Sequence, residues 1–81
     1  MKNVYFIPGG FQSAQQEYDQ KGTVTIQKGE HKHATDCIEN QNIEGQLFFT
    51  GLAWSQNEES IINETIAYVG CDVDEIQIVE N

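Results

Sequence analysis

Ser55-Gln56-Asn57-Glu58-Glu59-Ser60-Ile61-Ile62-Asn63-Glu64-Thr65-Ile66-Ala67-Tyr68-Val69-Gly70 is the passage on which the reading of this chain turns. Ser55 followed three residues later by Glu58 matches a capping box, in which the hydroxyl and the carboxylate satisfy each other's free backbone N–H groups. Ile61, Ile62, Thr65, Ile66 and Val69 recur with helical period and mark one apolar stripe. Gly70 stands where a left-handed residue ends a helix. The pattern predicts a helix over about 56–69. Glu58 and Glu59 fall in its first turn, where they complement the macrodipole.

Upstream, Gln46-Leu47-Phe48-Phe49-Thr50-Gly51-Leu52-Ala53-Trp54 is the most apolar run in the chain. It reads as one strand buried on both faces, with Gly51 a bulge. Downstream, Ile76, Ile78 and Val79 predict a last strand over about 74–80. At the N-terminus, Asn3-Val4-Tyr5-Phe6-Ile7 carries apolar side chains on both faces and suits a central strand. Pro8-Gly9-Gly10 ends it. Phe11, Ala14 and Tyr18 at i, i+3 and i+7 predict a short amphipathic helix over about 12–20. Gly22 opens a strand, Thr23 to Gln27, with Val24 and Ile26 inward. Lys28-Gly29-Glu30 reads as a hairpin turn, with a returning strand from about His31 to Ile38. A polar loop from Glu39 to Gly45 follows.

These elements predict a single α+β domain over 1–81. It would hold a small mixed or antiparallel sheet of four to five strands, with one long helix and a shorter one on one face. A ferredoxin-like βαββαβ arrangement is the favoured topology, and the extra strand in the middle would make it a five-stranded variant.

Charge is distributed unevenly. Lys2, Lys21, Lys28 and Lys32 are the only lysines and there is no arginine. From residue 33 onward there are ten carboxylates and no lysine or arginine, within a net charge of −9. Such asymmetry bears on partners rather than on fold. Thirteen acids against four lysines argue against direct nucleic-acid binding, which needs a basic patch. The same charge disfavours an anionic membrane surface. The N-terminus lacks the apolar run and small-residue cleavage site of a secretory signal. No stretch approaches the roughly 20 apolar residues that span a bilayer. A cytoplasmic protein is the expectation, with Cys37 and Cys71 as reduced core thiols; a disulfide closing a long loop is the alternative.

Motifs for chemistry are sparse. His31, His33 and Cys37 fall on one face of the expected returning strand and are candidate metal donors. Alternate residues on a strand are about 7 Å apart, however, and a closed site needs a fourth ligand from elsewhere. Asp72-Val73-Asp74-Glu75 lacks the spacing of an EF-hand loop. Pro8-Gly9-Gly10 follows a strand but has neither phosphate-loop signature. Asn63-Glu64-Thr65 matches a glycosylation sequon that a cytoplasmic helix would not use. No acid/base pair is marked by spacing, so neither a catalytic residue nor a cofactor is implied.

The expectation is therefore a non-enzymatic, acidic inhibitor or binding protein that docks on a basic surface of a nucleic-acid-handling partner. Carboxylates spaced like phosphates would displace counterions as nucleic acid does. Small acidic phage proteins that block restriction or CRISPR machinery are of this general kind, a likeness of size and charge alone. The candidate contact residues are Glu58, Glu59, Glu64, Asp72, Asp74 and Glu75, with Phe11 and Tyr18 as aromatic anchors beside them. Two alternatives stand beside it: an interaction module whose acids serve only solubility, and a His/Cys metal-binding protein.

Overall fold

The computed structural model describes residues 4–30, 46–49 and 52–80, with 46–49 and Leu52 described by backbone alone. The elements are β1 (Val4–Pro8), α1 (Gly10–Lys21), β2 (Val24–Gly29), β3 (Gln46–Phe49), β4 (Leu52–Ser55), α2 (Glu58–Val69), a 3-10 turn (Val73–Glu75) and β5 (Ile76–Glu80). The class is α+β. The strands form one mixed sheet in the order β3-β4-β1-β2-β5. Only β2 and β5 are parallel; the other neighbours are antiparallel.

That order is not the ferredoxin-like one. There, the helix after the first strand carries the chain over to a strand that does not neighbour it. Here β1 and β2 are adjacent and antiparallel, with Tyr5 opposite Lys28 and Phe6 opposite Gln27. β2 therefore begins beside the place where β1 ends, and α1 leaves and rejoins the same end of the sheet. Its reversal starts at once, because Gly9 and Gly10 both take left-handed backbone angles, φ 81 and 72. The true crossover is β4-α2-β5, in which α2 joins two strands of the same direction across β1 and β2.

Several local expectations are corrected. The run 46–54 is two antiparallel strands rather than one: Gln46 lies opposite Ser55 and Phe49 opposite Leu52. Thr50 and Gly51 stand between the two apolar stretches in the sequence, and a glycine there marks a turn as readily as a bulge. The bulge expected at Gly51 lies outside the described residues. α1 has twelve residues, as many as α2, so neither helix is the shorter. Gly22 ends α1 in a left-handed conformation, its N–H bonded to the Tyr18 carbonyl. β2 continues through Lys28 and Gly29, where the tight turn was expected, because both pair with β1. The returning strand 31–38 and the loop 39–45 lie outside the described residues.

α2 starts two residues later than the capping box implies. Asn57 is the N-cap, and its side chain accepts from the Ser60 N–H at 3.2 Å. Ser55 is fully buried at the end of β4, and its hydroxyl accepts from the Asn57 N–H at 2.9 Å. The stripe itself is as expected: Ile61, Thr65 and Val69 are buried, with Ile62 and Ile66 packed beside them. Thr65 satisfies its buried hydroxyl by donating to the Ile61 carbonyl at 2.6 Å. Gly70, at φ 81, ends the helix with its N–H on the Ile66 carbonyl. β5 begins at Ile76, since Val73–Glu75 form the 3-10 turn.

Register and packing define two faces. Tyr5, Ile7, Val24, Ile26, Ala53, Ile76 and Ile78 face both helices in one core with Ala14 and Ile61. Val4, Phe6 and Trp54 are buried on the opposite face, Phe6 directly across from Trp54. β1 carries apolar groups to both faces because it has a strand on each side.

A carboxylate not marked by any motif secures α1. Glu17 accepts from the Thr25 N–H at 3.0 Å and from the Thr25 hydroxyl at 2.7 Å. The β1–β2 ladder stops at Phe6 opposite Gln27. Pro8 closes β1 with no N–H to offer. Glu17 takes up the strand where that ladder ends.

Candidate functional site

The acidic candidates are set by the two ends of α2. Glu58 and Glu59 occupy its first turn and are exposed. Asp72, Asp74 and Glu75 follow its last turn. Ten helical residues, 60–69, lie between these groups, about 15 Å at 1.5 Å per residue. Glu64 lies midway and is half-buried. It is five residues from Glu59, about 140° around the helix. The six carboxylates therefore form two groups at opposite ends with one between, not a single row.

The rest of the sheet follows the same division. Ser55, Tyr5, Lys28 and Glu80 align across neighbouring strands. Glu80 thus lies at the end of the sheet from which α2 starts. Lys28 is 3.8 Å from the Glu80 carboxylate and 5.7 Å from the centre of the Tyr5 ring. It is one of two described lysines, with Lys21, which ends α1. Among the described residues, Glu58, Glu59, Glu64, Asp72 and Asp74 have neither lysine as an ion-pair partner.

Glu75 is held in place. One of its carboxylate oxygens accepts from the Asp72 N–H at 2.8 Å and from the Tyr18 hydroxyl at 3.1 Å. The Glu75 N–H in turn donates to the Asp72 carbonyl at 2.9 Å. The hydrogen bond to Glu75 raises the Tyr18 phenol above its ordinary 10.0; burial and the charges of Glu75 and Asp72 add to this. Cys71 is a buried free thiol. Burial pushes its pKa up, with Glu75 and Asp72 acting in the same direction. A raised thiol pKa is the opposite of what a nucleophilic cysteine needs. Asp72 and Asp74 remain exposed on the turn.

Phe11 and Tyr18 are half-buried and pack against the core from α1. Phe11 stacks on Tyr68, ring centres 4.6 Å apart and planes within 7°. Among the described residues, Tyr68 is the aromatic that the fold leaves exposed, at 62%. Val73 and Val79 are the other large apolar side chains at the described surface. No motif flagged these three. Tyr68 is one helical turn beyond Glu64 at the edge of the apolar stripe, so period alone does not tell its exposure.

His31, His33 and Cys37 lie outside the described residues. Among the described residues, no three His, Cys, Asp or Glu side chains are grouped to hold a metal ion. No described helix is long and apolar enough to cross a membrane. The chain matches no protein-family model, no curated protein and no solved structure.

Proposed function

We propose that this chain is a non-enzymatic acidic protein that binds a basic surface on a partner, of the kind that nucleic-acid-handling proteins present. The observation that carries the reading is the charge: ten carboxylates and no lysine or arginine after residue 32, within a net −9. Mixed charge would serve solubility without self-repulsion. A one-signed surface instead raises encounter rates with cationic partners and repels a second copy of itself. Asp72 and Asp74 form the presenting group. They are exposed on a turn that Tyr18 and Glu75 anchor, so the backbone that carries them needs little further ordering on binding. A nucleic-acid mimic is the sharpest form of this reading. It requires further carboxylates between the two ends of α2, since B-DNA carries a charge about every 1.7 Å of its axis.

The test is capture of a partner from the native host by the immobilised chain at about 50 mM salt. The interaction is then titrated to about 300 mM salt and challenged with duplex DNA. The expected result is a steep loss of affinity with salt, competition by the duplex, and severalfold weakening by Asp72→Asn with Asp74→Asn. Binding that is unchanged across that range and indifferent to duplex DNA rejects the reading. It would favour the interaction-module alternative, which the exposed Val73 and Val79 support.

A further inference from the structure

We infer that β5 is a docking edge that takes an extended, basic segment of a partner protein as a sixth strand of the sheet. The inference rests on the basic-surface reading above and specifies its geometry. Among the described residues, β5 pairs with β2 alone and ends the sheet. Its pairing is unbroken over five residues, from Val24 opposite Ile76 to Lys28 opposite Glu80. An edge of this kind presents a row of free backbone donors and acceptors. Proteins ordinarily blunt such edges with a lysine, a proline or a bulge. Ile76-Gln77-Ile78-Val79-Glu80 contains none of these, and its one charged side chain, Glu80, stands at the very end of the strand.

Three observations choose the occupant. The strand has acids at both ends: exposed Asp74 before it, beside the anchored Glu75, and at its close Glu80, which Lys28 meets at 3.8 Å but which stays largely exposed. Val79 is 41% exposed and Val73, just before the strand, 57%, so apolar contact area adjoins the edge. The chain carries a net −9, so two copies meeting edge to edge would bring like charges together. A second copy is thereby disfavoured, and a segment with cations flanking an apolar, β-prone centre is favoured. Main-chain bonds would supply affinity and the flanking charges would set register. A five-residue strand is about 17 Å long, the span to be matched between the two cations.

The test uses the full chain and a capped peptide, Lys-Val-Thr-Val-Thr-Lys, whose lysines are five residue steps apart, with two relatives N-methylated on one or the other alternate set of amides. N-methylation preserves charge and removes strand donors; only one of the two sets faces the protein. Binding is followed by isotope-edited NMR and calorimetry. The expected result is backbone shifts centred on 76–80, with at least tenfold loss of affinity for one methylated peptide and a much smaller loss for the other. Equal binding of all three peptides, shifts centred on α2, or no binding of the unmodified peptide at millimolar concentration overturns the inference. Equal, salt-sensitive binding would leave the basic-surface reading standing, so the two fail separately.

Discussion

Replacing Glu17 with Ala removes both hydrogen bonds that tie α1 to the start of β2, at 3.0 Å to the Thr25 N–H and 2.7 Å to its hydroxyl. Each net hydrogen bond contributes about 1 kcal/mol, and somewhat more when the acceptor is charged. The Thr25 N–H also lies beyond the last β1–β2 register pair, so Glu17 is the acceptor that serves it there. The half-buried site lets water recover part of the loss. The balance is a destabilisation of about 2 kcal/mol. For a domain of this size, 1 kcal/mol moves Tm by about 4–8 °C, so Glu17→Ala should lower it by about 8–16 °C. Circular dichroism gives the thermal midpoint, and a urea titration gives the free energy with its slope unchanged. Thr25→Val and the double variant complete a cycle that isolates the hydroxyl bond, with an expected coupling of about 1 kcal/mol. Glu17→Gln, which keeps an acceptor oxygen, should cost less than half as much. A Glu17→Ala loss within about 0.5 kcal/mol, the level of an ordinary surface change, would refute the idea that this carboxylate secures the helix.

Two other outcomes follow from local geometry. Gly9→Ala should cost at least about 2 kcal/mol, read as a lower urea midpoint: left-handed backbone disfavours a side chain, and the new Cβ would run into Ser13 Oγ and lie 2.9 Å from Ser13 Cβ. Adding Ser13→Ala should recover only part, since the Ser13 Cβ remains; full recovery would contradict the geometry. Tyr18 has a folded-state pKa raised above its ordinary 10.0, first by its hydrogen bond to Glu75. The stability this gives is fully present below pH 10 and is lost as pH climbs through the raised folded value. The tyrosinate absorbance assigned to Tyr18, taken as the difference from Tyr18→Phe, should therefore titrate late and shift back towards 10.0 in Glu75→Gln. An unchanged titration in that variant would show that the Glu75 carboxylate is not the cause.

Much of the secondary structure follows from short-range rules. The stripe Ile61, Thr65, Val69 and the terminator Gly70 are both found, because a twelve-residue helix expresses its period within its own length. Val24 and Ile26 point inward as alternation requires. Boundaries failed where two local rules competed. Ser55 and Asn57 are both good caps, and burial of Ser55 in β4 left Asn57 to start the helix. The reversal between β3 and β4 escaped notice for a different reason: Gly51 reads as a bulge within one strand, whereas a glycine between two apolar stretches is equally a turn signal. The candidate acids were visible as residues but not as a surface. Their division between the two ends of α2 depends on where that helix starts and stops.

Composition and periodicity, which any stretch of chain carries within itself, were enough to establish the α+β class, the inward faces and the one-sided charge. They could not rank pairings between distant segments, such as Val24 with Ile76 or Phe6 with Trp54. Several strand orders bury the same apolar faces equally well, and the choice among them rests on which complete set of backbone partners and core contacts closes together. Folding made that choice, and with it the exposure of Tyr68, the anchoring of Glu75 by Tyr18, and the placing of β5 at one end of the described sheet.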